Sequence, residues 1–264
     1  MSWKRIWAIV LRQYYLIHKN ATRLVNIFLW LIFDIIVWGF TTRFLNQAGQ
    51  ANFNFIPVLL GAIILWGFLI RVQQGVILPF LEDMWSGNFL NLFASPIKNR
   101  EYILGLFGTS ITTSAVVFTV AIALASSAFG YNLLTVGLPL LLLLLVLFLF
   151  GLALGIITIS LILRFGPSAE WFAWIMPFLF SPISGVFYPI ATLPHWLQIA
   201  SKINPLSYVF EGLREVTIQG IFSPNPLIIG AILALIYLVG AYLIFAHTFK
   251  VVVKKGLLAR FSAE

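Results

Sequence analysis

Six long apolar runs, separated by short polar or Pro- and Gly-rich breaks, dominate this chain. They extend from about Leu24 to Phe44, Phe55 to Leu81, Tyr102 to Phe129, Leu133 to Leu163, Trp171 to Tyr188 and Pro226 to Phe249. A helix needs roughly 20 consecutive apolar residues to cross the hydrocarbon core of a bilayer. The runs lack the alternation of barrel strands, and a helix satisfies its own backbone hydrogen bonds in lipid. The pattern predicts an all-α integral membrane fold with six transmembrane helices, in one domain over residues 1–264. Two runs carry a charge, Asp34 in the first and Arg71 in the second. Insertion scales put an Asp at a helix centre at about 3 kcal/mol. Asp34 is therefore expected to face protein and pair with Arg71, with a proton-coupling role as the alternative.

Three segments are patterned but do not read as spans. Trp3, Ile6, Trp7, Val10, Tyr14 and Ile17 recur at helical spacing, with Lys4, Arg5, Arg12 and Lys19 largely off that stripe. This predicts an amphipathic helix over residues 1–20, lying in the membrane interface. Glu82–Pro96 opens on two adjacent carboxylates and carries Trp85, Gly87, Phe89 and Leu92. It reads as an amphipathic helix on the inner face that either docks a partner protein by its aromatic face or packs only on its own bundle. Residues 181–220 are too polar and too Pro-broken for one span, yet too apolar for a free loop. Pro189, Pro194 and Pro205 divide the stretch. Leu193–Ile203 and Leu206–Val216 each predict a helix of about 16 Å, half a bilayer core. We expect a re-entrant hairpin over residues 193–216 on the outer face, bordering the transport path or its gate. Glu211 and Arg214 share a helix face within it and form either a local ion pair or a brace for that gate.

Composition supports the membrane assignment. Of 264 residues, 61% are hydrophobic and only 9% charged. A soluble domain carries about 25% charged residues. The formal net charge of +8 does not point to nucleic acid, because the basic residues cluster in tails and short loops. Lys4, Arg5, Arg12, Lys19, Arg23, Lys98, Arg100, Arg164, Lys250, Lys254, Lys255 and Arg260 fall on one side of the predicted topology. Only Arg43, Lys202 and Arg214 fall on the other. The positive-inside bias then places both termini in the cytoplasm. The N-terminus does not read as a cleavable signal peptide.

The chemistry that is missing narrows the function. There is no Cys, hence no thiol chemistry. No Gly-x-x-x-x-Gly-Lys-Ser/Thr phosphate loop occurs, so the chain does not hydrolyse ATP by that route. His18, His195 and His247 are scattered, and no metal set or acid–base constellation is expected. A self-sufficient channel or secondary transporter needs ion-coordinating groups near the midplane and often shows internal repeats; only Asp34 and Arg71 are candidates, and no repeat is apparent.

The order of these features resembles the permease subunits of type-2 ABC exporters, over almost the whole chain. The resemblance is carried above all by SGVFYPIATLPHWLQIASKINPLSYVFEGLR, Ser184 to Arg214. It contains a small and aromatic stretch ending in Pro, a Leu-Pro-x-Trp-like turn, an Asn-Pro-Leu step and a Glu-x-x-Arg end. The resemblance implies a pair of permeases, expected to be a homodimer, and two separate ATPase subunits that carry ATP and Mg. This chain itself would bind no cofactor. It further implies a coupling helix at residues 82–96, with Glu82, Asp83, Trp85, Gly87, Phe89, Leu92 and Pro96 as docking candidates. The family's Glu-x-Gly-Thr-like pattern is replaced here by Glu82, Asp83, Met84, Trp85, Ser86, Gly87 and Asn88. The outer gate would hold Pro194, Trp196, Pro205, Tyr208, Glu211 and Arg214. The expected location is a bacterial cytoplasmic membrane, in contact with its lipids. The expected cargo is a hydrophobic or amphipathic compound, drug-like or lipid-like, with a polysaccharide or lipid-linked glycan as the alternative.

Overall fold

The computed structural model describes residues 1–48, 54–88, 91–92 and 95–257. Phe89 and Arg260 lie outside the described residues. The described residues form helices α1 (Trp3–His18), α2 (Ala21–Ala48), α3 (Gly61–Trp85), α4 (Asn99–Phe129), α5 (Pro139–Phe165), α6 (Phe172–Phe180), α7 (His195–Lys202), α8 (Pro205–Gln219) and α9 (Pro224–Lys254). A π-helical turn, Ile56–Leu60, leads into α3. No strand occurs among the described residues.

Among the described residues, five helices are long and apolar enough to cross a membrane: α2, α3 with its leading turn, α4, α5 and α9. The fifth predicted run, Trp171–Tyr188, behaves differently. Its helix is α6, with 9 residues, about 14 Å at 1.5 Å per residue. A 3-10 turn at Ser181–Ile183 with Pro182 in its first turn ends it. Gly185 follows at φ +68°, a left-handed conformation that glycine adopts without a Cβ penalty. The two short helices expected after it are present as α7 and α8. Pro205 opens α8, where its missing N–H costs nothing, and the Asn204 side chain accepts from Leu206 N at 3.2 Å.

Helices α3 and α5 are central. Of the apolar window in each span, 67% is buried in α3 and 61% in α5, against 22% in α2, α4 and α9. The outer helices therefore keep one apolar flank uncovered, including Trp30, Phe33, Val37, Phe40 and Phe44 on α2. Lipid offers no hydrophobic drive between helices, so close backbone approach at small residues holds such bundles together. Gly75 of α3 meets Ser110 of α4, and Gly151 and Gly155 of α5 meet Val72 and Val76 of α3. Gly105 and Gly108 of α4 receive Ile9 and Val10 of α1 in the same way.

Helix α1 differs in detail from its predicted stripe. Ile6, Ile9, Val10 and Gln13 are buried, whereas Trp3, Trp7 and Tyr14 are exposed. Two apolar faces exist: a narrow one against α4 and an aromatic one turned away from the protein.

Candidate functional site

At the α1 end of the bundle, the carboxylates of the predicted docking segment turn inward. Asp83 is buried. Both of its oxygens accept from Arg12 Nη2 at 2.7 Å, and Oδ2 also accepts from Tyr102 Oη at 3.3 Å. With its amide nitrogen facing the carboxylate, Gln13 donates to Glu82 Oε2 at 3.2 Å. Glu101, also buried, accepts from Ser2 N at 2.7 Å and Lys98 N at 3.1 Å, and lies 3.4 Å from Arg5 Nη1. Arg5 Nη1 also donates to the Pro96 carbonyl at 2.6 Å. Thus Arg5 and Arg12, two helical turns apart on α1, clamp both ends of the 82–96 segment.

The exposed part of that segment is its turn. Trp85 is 58% exposed, with its indole N–H donating to Glu170 Oε2 at 2.8 Å. Ser86 Oγ donates to the Glu82 carbonyl at 2.7 Å and ends α3. Gly87 has φ +65° with nothing within 4 Å of an added Cβ. Leu92 packs into the core. Exposure therefore leaves Trp85 and Gly87 for an outside contact, whereas Asp83 and Leu92 are spent on the bundle.

Midway along the spans, a cavity of about 590 Å³ lies between α2, α3 and α6. Trp30, Asp34, Arg71, Gln73, Gln74, Trp174 and Phe178 contribute to its wall. The expected Asp34–Arg71 pair does not form. Arg71 Nη2 donates to the Ile27 carbonyl at 3.0 Å, and no ion pair between the two occurs among the described residues. Ile27 and Asp34 are seven residues apart on α2, about 10 Å along the axis, so the arginine is anchored two turns away from the carboxylate. Gln73 Nε2 reaches across to the Ala173 carbonyl at 3.0 Å. The sequence reading missed Gln73 and Gln74, although two adjacent amides inside an apolar run are a visible signal.

At the opposite end, the Ser184–Arg214 motif folds onto itself. Asn204 Nδ2 donates to Ser184 Oγ at 3.0 Å, and Ser207 Oγ donates to the Ile183 carbonyl at 2.9 Å. Glu211 Oε1 accepts from Ile190 N and from Arg214 Nη1, both at 2.8 Å. Arg214 Nη2 donates to the Gly185 carbonyl at 2.7 Å. The pair therefore straps the Gly185–Ile190 loop to α8. Tyr208 Oη donates to the Lys202 carbonyl at 2.8 Å, closing the turn between α7 and α8. Pro194 caps α7, Pro205 is buried, and Trp196 is 69% exposed. Glu211→Ala removes the acceptor of two bonds at a half-buried site. We expect it to destabilise the loop by about 1–2 kcal/mol, seen as faster proteolysis within residues 185–190 while the bundle stays folded.

Comparison with known proteins identifies the family. Residues 3–218 match the family model described as ABC-2 type transporter. A "Putative transport permease ycf38" of Porphyra purpurea is 28% identical over 162 residues, covering 59% of this chain and 53% of its own. The protein of the same name from Pyropia yezoensis is 31% identical over 160 residues, covering 58% of this chain and 53% of its own. The chain thus spans about half the length of these curated relatives. The family match covers most of the chain, including the α1 clamp, the cavity and the strapped hairpin. This multi-pass membrane protein belongs to the ABC-2 type transporter family.

Proposed function

We propose that the chain is the membrane-spanning permease subunit of an ATP-driven exporter, working as a pair of permeases with two separate ATPase subunits. The family match over residues 3–218 carries the reading. The given sequence carries no phosphate-binding loop, which supports hydrolysis by a partner. In this reading α6, the 3-10 turn after it and the α7–α8 hairpin together make a sixth crossing whose outer half is re-entrant. The apolar flank of α2 beyond the cavity, at Val37, Phe40 and Phe44, is where a second copy would pack.

The placement of charge supports a cytoplasmic α1 end. Lys4, Arg5, Arg12, Lys98 and Arg100 gather there, and α9 runs back toward it, with Arg100 Nε donating to Tyr242 Oη at 3.0 Å. Arg43, Lys202 and Arg214 lie at the other end. In a bacterial cytoplasmic membrane this puts both termini inside. The turn at Trp85–Gly87 would then seat in a groove of the ATPase. Nucleotide-driven movement of that partner would pass through the clamped 82–96 segment into α3 and α4 and change access to the cavity. Cargo biases the states only by its differential affinity for them.

The test is reconstitution with the partner ATPase in proteoliposomes. Gly87→Val forces a β-branched residue into a left-handed turn, costing about 1–2 kcal/mol. Among the described residues nothing lies within 4 Å of a Cβ added there. We expect hydrolysis coupled to the permease to fall at least about tenfold, with the isolated permease still folded and its unfolding shifted by no more than that strain. Cargo movement by the chain alone, without nucleotide, would instead establish a channel or secondary transporter.

A further inference from the structure

We propose that the cavity between α2, α3 and α6 binds the acidic head of a monoanionic amphiphile, with Arg71 facing the acid and Trp30, Trp174 and Phe178 along the apolar body. The inference rests on the exporter reading only in taking the cavity as part of the path. Binding itself can be read without transport.

The volume of about 590 Å³ suits a small amphipathic molecule, since ligand pockets span about 300–1,000 Å³. Its polar groups are the informative part. Arg71 is 9% exposed at the middle of a membrane span. One of its nitrogens meets a carbonyl dipole at 3.0 Å, and Nε has no partner. Among the described residues no carboxylate lies within ion-pair distance of it. A buried cation held by one neutral acceptor is far from compensated, and a guanidinium favours planar acids. Gln73 adds a second unfilled group. Its nitrogen is committed to the Ala173 carbonyl at 3.0 Å, which fixes the amide orientation and leaves Oε1 buried without a donor. Both atoms are themselves covered by the surrounding protein, so they mark under-compensated polar side chains in the wall, and the acid is met by Arg71 through its unneutralised charge. Asp34 shares the cavity and disfavours a second negative charge on the ligand. A cationic ligand directed at Asp34 is the weaker match, because Asp34 sits on the exposed flank of α2 and Arg71 is the desolvated charge.

The probe is a long-chain fatty acid carrying a mid-chain diazirine, compared with its primary alcohol and primary amine. The full chain is held in phosphatidylcholine nanodiscs, irradiated and mapped by peptide mass spectrometry. The acid is expected to label α2, α3 and α6 saturably, about tenfold more than either analogue. Arg71→Gln should reduce acid labelling to the alcohol's level, and Arg71→Lys should retain most of it. Gly67→Leu tests the space without touching a polar group. Gly67 lines the cavity, and nothing lies within 4 Å of a Cβ added there. Filling it should abolish labelling in a stably folded protein. Equal labelling by the alcohol, or undiminished labelling of Arg71→Gln or Gly67→Leu, overturns the proposal. Should Arg71→Gln fail to fold, the analogue comparison and Gly67→Leu decide. Repeating the experiment in phosphatidylglycerol nanodiscs separates the sources of the acid. Lost labelling assigns the site to a lipid headgroup and retained labelling to a free amphiphile, and either result supports anion recognition.

Discussion

Replacing Gly75 with leucine is expected to destabilise the bundle by about 3 kcal/mol. A Cβ at this position would lie 2.6 Å from Ser110 Cα and 2.9 Å from Ser110 Cβ. The obstacle is backbone rather than the end of a flexible side chain, so α3 and α4 must separate. That separation also weakens the bond from Ser110 Oγ to the Val72 carbonyl, 2.8 Å long and buried. Interhelical bonds of this kind in membranes contribute about 0.6 kcal/mol each, so lost packing dominates. The control lies on the same helix. Gly67→Ala meets nothing within 4 Å and gains helix propensity of up to about 1 kcal/mol. Unfolding of both variants in mixed micelles, titrated with dodecyl sulfate, should move in opposite directions. Parallel shifts would mean that the contact at Gly75 does not hold the two spans together.

Asp83→Ala is expected to detach α1. The carboxylate is the shared acceptor for Arg12 and Tyr102. Its removal leaves a guanidinium with 30% side-chain exposure facing an empty site. Breaking a fully buried pair costs about 3–5 kcal/mol. Because Arg12 retains some contact with the surroundings, we expect about 2 kcal/mol. The chain has no Cys of its own, so a cysteine placed at Ile9, on the packed face, reports detachment by maleimide labelling. A 2 kcal/mol shift should raise its labelling rate about 30-fold. Replacing both partners, Arg12→Met with Asp83→Leu, should restore most of the protection, because apolar substitutes of similar size often match a buried pair. The contrast separates a clamp from a docking surface. A docking role alone predicts no change at Ile9 in either variant.

The legibility of this chain varies with the range of the interaction. The long apolar runs, the amphipathic period of α1 and the three-residue spacing of Glu211 and Arg214 are properties of short windows. They were read from the sequence because lipid imposes a length and helix geometry imposes a period. The motif from Ser184 to Arg214 was legible as a unit but not as a strap. Its bonds link residues 20 to 29 positions apart, such as Asn204 to Ser184 and Arg214 to Gly185.

Residues 171–188 show where the local reading stops. Their hydropathy matches a span, yet the helix ends at Phe180, because Pro182, Gly185 and the strap from α8 favour a turn there. Asp34 and Arg71 show it again. Both depths were visible, but pairing depends on where each helix turns its face, and the Ile27 carbonyl reaches the guanidinium first. Asp83 was a docking candidate in the 82–96 segment, but α1 covers it and Arg12 takes up its carboxylate. Sequence alone determined the five long apolar helices, since length and hydropathy are properties of each segment's own window. Only the tertiary structure decided which charges are paired, which is stranded beside a cavity and which face outward, since those depend on helix rotation and on distances across the bundle.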